Sequence, residues 1–392
     1  MLLQGLKVVE MSTWIAAPGC AMIMAEWGAD VIKVESPGEG DAIRRFYPDT
    51  AESPGNPIFS MENRGKRGVA LDVYAPEGRE ALIQLLKTAD VFVTNLRPGA
   101  LKRTRLDYDS LKDELPRLVY ACVTGFGLEG EEADRPAFDL TGFWTRSGIA
   151  ASTIPPDQEP FTCRPGFGDH VTALATLSGV LAALHERQST GKGRLVEASL
   201  LRAGVYALGW DTSIHLRYGE ATTAQPRSER PSAVGGYFRT ADDRYVCVAP
   251  RGPGCFPAII KGLGLESAVA EIGAPPYGDL AVTRALRAKV DAAFARLTLE
   301  EAGEMLTRGD LIWAPMATLD EVTIDPQARA AGCFVVTPDQ YGGAFEAPAT
   351  PIRFPGLEIE PQRPAPFLGQ HTREVLEEAG VAAEVVAAVA GG

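Results

Sequence analysis

The sequence predicts an α/β protein with a parallel sheet in its larger part and a second, smaller α+β domain. Three observations carry this. Strand and helix patterns alternate through the first 125 residues, a polar, proline-bearing segment breaks the chain near residue 220, and a hairpin signal follows it. A chain of 392 residues with 45% hydrophobic content is long enough for more than one core.

The elements follow in order. GLKVVEM (5–11) reads as a strand, PGCAMIMAEWG as a helix and ADVIKVE as a second strand. GVALDVY, PEGREALIQLLKTA and DVFVTNL repeat the scheme, and RLVYACVTG adds a further strand. Strands separated by single helices require crossover connections, hence parallel pairing. A second helical run is expected from Leu195 to Tyr218, and EATTAQPRSERPS (220–232) reads as a linker. GGYFRTADDRYVCVAP reads as a hairpin turning at Ala241-Asp242-Asp243, with helices following to Arg308. DEVTIDPQARAAGCFVV reads as a return connection, and the chain ends in a strand-like stretch and the helix HTREVLEEAG. The expected domains are therefore 1–218, 219–330, and a returning segment 331–392.

Composition removes several function classes. A formal net charge of -13 argues against nucleic acid and acidic membranes as partners. No apolar run reaches the roughly 20 residues of a membrane span, and the N-terminal MLLQGLKVVE leads directly into a strand, so a cytoplasmic protein is expected. Six scattered cysteines without a CxxC pair indicate neither a disulfide frame nor a zinc site, and no metal is expected. Glu35, ending the second strand, imitates the ribose-binding acid of a dinucleotide fold. The turn after the first strand, STWIAAPG, nevertheless lacks GxGxxG and puts Trp14 and Ile15 where a pyrophosphate would approach, so NAD is not expected.

The most informative stretch is GFGDHVTALATLSGVLAALHERQSTGKGR (166–194). Val171, Leu174, Leu177, Leu181 and Leu184 recur at helical spacing and predict a buried stripe, with Gly191 and Gly193 as the stop. Asp169 then falls at the N-cap, where its role is either that of a capping residue or, kept ionised by the helix dipole and approachable across Gly166 and Gly168, that of a nucleophile. Basic residues are dense at Arg64, Lys66 and Arg67 and at Arg97, Lys102, Arg103 and Arg105. They read either as a phosphate-binding rim at strand ends or as solvated loops.

Taken together, WIAAPGCAMIMAEWGADVIKVESPGEGD, NRGKRGVALDV, DVFVTNLRPGAL, LVYACVTGFGLEG, GDHVTALATLSGVLAALHERQSTGKGR, IDPQARAAG and APFLGQHTREVLEEAG resemble, in order, the landmarks of the class III CoA-transferases. That family includes formyl-CoA and carnitine CoA-transferases and, as a branch, the α-methylacyl-CoA racemases. The resemblance implies a Rossmann-like large domain built from both chain ends, a smaller inserted domain, and an interlocked homodimer. It also implies coenzyme A, carried as an acyl-CoA substrate, and a carboxylic acid as the second substrate.

By the same resemblance Asp169 is the nucleophile that takes the acyl group and then CoA. Ile15, Ala16, Leu71, Asn95, Leu96, Arg97, Arg103, Phe138 and Asp139 match positions that contact CoA. Ser36 and Tyr74 depart from relatives that carry basic residues there. The racemase branch has a histidine where this chain has Phe138 and a glutamate near Gly252; neither residue present here carries a proton, which favours the transferase branch over the alternatives of a racemase or a non-catalytic CoA-binding protein. A long glycine run in the small domain is replaced by Gly235-Gly236 and Arg251-Gly252-Pro253-Gly254. Arg251 is a candidate for a substrate carboxylate, Phe143, Trp144 and Phe161 are candidates for an acyl pocket, His170 is a candidate partner of Asp169, and Asp139 is either a substrate contact or a helix cap.

Overall fold

The computed structural model describes residues 1–47, 55–220, 224–252, 254–274, 279–359, 361 and 363–390. The chain forms two compact units, one comprising 1–154, 159–222 and 330–392, the other 155–158 and 223–329.

The first unit is built on six parallel strands: β1 (Lys7–Met11), β2 (Asp30–Glu35), β3 (Arg67–Ala70), β4 (Val91–Thr94), β5 (Val119–Thr124) and β6 (Leu195–Ser199), in the order β3-β2-β1-β4-β5-β6. This is the doubly wound, Rossmann-like arrangement. Its helices are α1 (Ala16–Glu26), α2 (Pro57–Asn63), α3 (Pro76–Lys87), α4 (Pro98–Thr104), α5 (Tyr108–Leu111), α6 (Ile149–Thr153), α7 (Phe167–Thr190), α8 (Leu200–Ala207) and α9 (Gly209–Tyr218). Proline opens α2, α3 and α4, where its missing N–H costs no hydrogen bond.

Period-two alternation in the strands explains why both faces are covered. Val8, Val31, Val91 and Val119 point into one core with α1 and α7, whereas their neighbours Val9, Ile32, Phe92 and Tyr120 point into the other with α3. Burying all of these side chains removes the central strands from water on both sides. At roughly 1.5–3 kcal/mol per large apolar side chain, the two faces supply the main stabilisation of this unit.

Two local readings differ from the structure. Leu195–Ser199, expected to begin a helical run, is strand β6, because its backbone pairs with Tyr120–Thr124. The stripe on α7 is also shifted: Thr172, Ala173, Thr176, Leu177, Val180, Ala183 and Leu184 are buried, while Val171, Leu174 and Leu181 are only half-buried. Small residues face α1, whose Ala17, Cys20 and Ala21 are themselves small, so the two helices approach closely and the larger leucines are displaced to the flanks. Among the described residues α7 alone has the length and composition of a membrane span, and its inner face is core.

The second unit holds an antiparallel sheet of β7 (Gly236–Arg239), β8 (Tyr245–Val248) and β9 (Trp313–Pro315) with α10 (Cys255–Gly262), α11 (Glu266–Ile272), α12 (Leu280–Phe294), α13 (Leu299–Arg308) and α14 (Leu319–Ile324). The expected hairpin forms, with Asp243 in the left-handed region at φ 62°. Phe238 stacks on Phe294 at 4.6 Å in its core. After α15 (Pro326–Ala330) comes the hairpin of β10 (Phe334–Pro338) and β11 (Ala344–Pro348). α16 (Thr372–Glu378) and a further helix absent from the sequence reading, α17 (Ala383–Ala390), close the α3 face through Val375, Leu376, Val385 and Val386.

Candidate active site

In a doubly wound sheet, ligands bind outside the C-terminal strand ends where the winding reverses. Here that point lies between β1 and β4: the chain leaving β1 passes to α1 on one face, and the chain leaving β4 passes to α4 on the other. The two loops are bound to each other. The Thr13 N–H donates to Asn95 Oδ1 at 2.9 Å, and Asn95 Nδ2 donates to the Thr13 carbonyl at 2.6 Å.

The next residue, Trp14, has φ 68°, a left-handed conformation costly for a bulky side chain. It is held there by a hydrogen bond from its N–H to Asp41 Oδ1 at 3.0 Å. Asp41 belongs to a fully buried ionic chain: its Oδ2 lies 3.0 Å from Lys33 Nζ, which is 2.9 Å from Glu10 Oε1, while Glu10 Oε2 lies 2.6 Å from Lys66 Nζ. Burial alone would raise the Glu10 carboxyl, but Lys33 and Lys66 overcome this and hold it down at about 2. The sheet thus fixes the first loop of the site through paired charges that water does not reach.

Trp14 and Asn95 line a cavity of about 570 Å³ together with Ala16, Leu96, Arg97, Gly125, Phe138 and Asp169. Phe138, 55% exposed, packs edge-to-face on Trp14 at 5.0 Å. This volume falls in the range of sites for small molecules and cofactors.

Asp169 reaches the cavity from the first turn of α7, but it is not the cap of that helix. Gly166, at φ 85°, is the N-cap and leaves no side chain to accept a first-turn amide. Asp139, distant in sequence, does so: its Oδ2 accepts from the Gly168 N–H at 3.3 Å and its Oδ1 from the Leu140 N–H at 2.8 Å. Gly168 is required at its position, since a Cβ there would stand 2.5 Å from Phe143. Among the described residues none hydrogen-bonds the Asp169 carboxylate, which is left facing the cavity. Burial first, then the neighbouring Asp139 charge, push Asp169 up to about 7, opposed by His170. The expected N-cap role of Asp169 is therefore corrected, and burial opposes the ionisation that the helix start favours.

His170 turns its Nε2 to Oε1 of Glu62 at 2.9 Å. Glu62, on α2, is 1% exposed, and the hydrogen bond to it raises the His170 imidazole above its ordinary range. Glu62 was not singled out from the sequence, because 108 positions separate it from His170.

The remaining expected positions are dispersed. Asp139 is buried under the helix start, Ile15 packs against Ile43 and Phe59, and the Leu71 side chain is in the sheet core. Arg103 lies in a separate depression of about 490 Å³ with Tyr74, Arg79 and Arg105. Arg64, Lys66 and Arg67 are neither a phosphate rim nor solvated. Arg64 pairs with buried Glu26, Lys66 with Glu10, and Arg67 with Asp30, Glu374 and Glu378. Phe143 and Trp144 are core residues, while Phe161 is exposed. Arg251 lies in the second unit.

Fold and cavity define a doubly wound α/β enzyme that presents a carboxylate, rather than a glycine-rich phosphate loop, at its switch point. The chain belongs to CoA-transferase family III, whose pattern it matches over residues 3–372. It is 35% identical to (R)-2-hydroxy-4-methylpentanoate CoA-transferase of Clostridioides difficile, covering 97% of this chain and 96% of that one. It is 30% identical to cinnamoyl-CoA:phenyllactate CoA-transferase of Clostridium sporogenes over 96% of this chain and 93% of that one. Human alpha-methylacyl-CoA racemase is 29% identical over 98% of this chain and 95% of that one. The crystal structure of a CAIB/BAIF family protein from Brucella suis superposes with a TM-score of 0.84 at 30% identity, covering 96% of this chain and 99% of that one. The protein is accordingly an enzyme of the transferase type, and acyl-CoA and carboxylate substrates fit its family.

Proposed function

We propose that the enzyme moves CoA from an acyl-CoA thioester to a free carboxylic acid through covalent intermediates on Asp169. The observation that carries this reading is the Asp169 carboxylate itself: it lines the switch-point cavity, free of hydrogen bonds from described residues, and is ionisable near neutral pH. One carboxylate oxygen attacks the thioester carbonyl, the C–S bond breaks, and CoA leaves as a thiolate with a mixed anhydride on Asp169. The thiolate attacks the aspartyl carbonyl and expels the donor acid, forming an aspartyl-CoA thioester. The acceptor carboxylate attacks that thioester, releasing CoA thiolate and forming a second anhydride. Attack by the thiolate at the acceptor carbonyl gives the new acyl-CoA and restores Asp169. No net proton is consumed.

CoA binding is assigned to the same crevice, with Ala16, Asn95, Leu96, Arg97 and Phe138, which line it, around the thioester arm, Ile15, Leu71 and Asp139 behind that wall, and Arg97 and Arg103 for phosphates. Arg97 at the cavity and Arg103 in the neighbouring depression support this, since an acidic protein needs local cations to hold an anionic ligand. An interlocked homodimer is supported by the apolar residues that the first unit leaves uncovered on α8 and α9, with Tyr206 86%, Trp210 82% and Leu216 80% exposed. A cytoplasmic location is proposed on the enzyme's use of CoA thioesters. The racemase reading is disfavoured because Phe138, on the cavity wall, has no proton to transfer.

The test is intact mass after mixing the protein with acyl-CoA thioesters, followed by hydroxylamine or borohydride trapping and peptide mapping. The named substrates of the relatives and the Trp14–Phe138 wall make branched and aromatic 2-hydroxy acids the first panel. An adduct on Asp169 is expected. Unmodified protein that still binds CoA would defeat the reading, and solvent deuterium at the α carbon of recovered acyl-CoA would replace it with racemisation.

A further inference from the structure

The end of α7 that carries Asp169 is crowded with negative charge. The charges of Asp139 and Glu62 both act on Asp169 there, in a protein of net charge -13. An acceptor acid brings a further carboxylate into that field. Like charges within a few ångströms repel strongly where water is scarce, so the approach needs a cation close to the reacting oxygen.

His170 is the adjacent residue, and its geometry is constrained from outside its own helix. Nε2 lies 2.9 Å from Glu62 Oε1, while the side chain remains 45% exposed. Glu62 has no other hydrogen bond on its carboxylate: Oε2 is buried without a partner among the described residues. A buried carboxylate is expensive unless charge compensates it; Lys66 acts on Glu62 from within the core, and the imidazolium is the group that Oε1 meets directly. The Nδ1 nitrogen has no hydrogen-bond partner among the described residues, and in an imidazolium it is a second N–H donor. The groups that act on the ring come from each neighbouring segment: Glu62 from α2, Asp169 from α7, and Asp139 from the segment ahead of it.

We infer that Glu62 is a positioning residue: it holds His170 as a cation beside Asp169, and that cation draws the carboxylate of the acceptor acid to the nucleophile. The inference rests on the transferase reading above. It deepens that reading by separating recognition of the acid, through the Glu62–His170 pair, from recognition of CoA at the Trp14–Asn95 crevice.

With only four histidines in the chain, the His170 titration is resolvable by proton–nitrogen NMR on the full-length protein. E62Q is expected to lower the His170 titration, and E62D, which keeps the charge, to restore much of it. In steady-state assays H170Q is expected to raise KM for the acceptor acid by about tenfold, the loss of roughly 1.4 kcal/mol, with KM for the acyl-CoA donor changed less than about twofold. If E62Q folds poorly, H170Q carries the test, because the His170 side chain is close to half exposed. An unmoved His170 titration in folded E62Q, or an unmoved acceptor KM in H170Q, overturns the inference while leaving the transferase reading intact. Wild-type protein that forms no adduct on Asp169 defeats that reading and this inference together.

Discussion

The Asp139 carboxylate accepts from the Gly168 N–H at 3.3 Å, so the residue that satisfies the start of α7 arrives from a different part of the chain. This frees Asp169, one position further on, to face the cavity. It also sets two carboxylates against each other, so that the Asp139 charge adds to the burial that raises Asp169.

Replacing Asp139 by Asn is therefore expected to lower the titration of Asp169. The amide has a single acceptor oxygen, so only one of the bonds from Leu140 and Gly168 is kept, and the repelling charge is gone. The acid limb of the pH–rate profile for adduct formation should move to lower pH, with a loss of about 1 kcal/mol in stability from the bond that is given up. A limb that stays in place would mean that Asp139 does not act on Asp169 by charge.

Asp169→Asn should abolish turnover and adduct formation while leaving CoA binding measurable by calorimetry. It has a second signature in stability. Asp169 is pushed up to about 7 in the folded protein from an ordinary value of 3.8, so the folded state holds its proton over a range where the unfolded chain has lost it. Its ionisation costs stability as pH rises through that window. The Asn variant should match the wild type near pH 4 and melt higher than it above pH 7, which thermal melts across pH would reveal.

Asn95→Ala removes both bonds to Thr13 and leaves the strained Trp14 loop tied at one side only. A loss of about 1–3 kcal/mol in stability is expected from the orphaned backbone groups. KM for acyl-CoA should rise more than kcat falls, because the loop lines the cavity rather than supplying the reacting oxygen. Chemical denaturation and steady-state kinetics measure the two effects separately.

Glu10→Gln leaves Lys33 and Lys66 buried with one negative partner fewer, a change expected to cost about 3–5 kcal/mol. Glu10 is held down at about 2 from an ordinary 4.5, so its contribution is present above pH 4.5 and is lost as pH falls toward 2. The wild-type advantage in melting temperature should shrink on acidification. A constant gap from pH 7 to pH 3 would show that the pairing is not what Glu10 supplies.

Much of the parallel sheet was legible because its central strands announce themselves. β1, β2, β4 and β5 are short apolar runs between helical patterns, and burial on both faces demands that composition. β6 was not legible. LVEAS carries little periodicity, and only the free edge of β5 makes a strand of it. The α7 helix was readable from its spacing and glycine stop, and Leu177 and Leu184 of its expected stripe are buried, but the rest of the buried face was not readable, because the closeness of α1 selected Thr172, Ala173, Thr176 and Ala183 over Val171, Leu174 and Leu181. NRGKR looked like a surface cluster until Glu10, Glu26, Asp30, Glu374 and Glu378 came from other elements to neutralise it.

By itself, then, the sequence determined the α/β class, the absence of a dinucleotide fingerprint at the first turn, and Asp169 as the acid opening a long helix. These are local properties, carried by periodicity and by the residues of one turn. What only the tertiary structure decided is the environment of that acid: Asp139 capping its helix, Glu62 holding His170, and Trp14 fixed by Asp41 and by the Thr13–Asn95 clasp. The physical reason is range. Hydrogen bonds, desolvation and charge pairing act over a few ångströms in space, and the groups that meet at this site come from segments that only the folded sheet brings together.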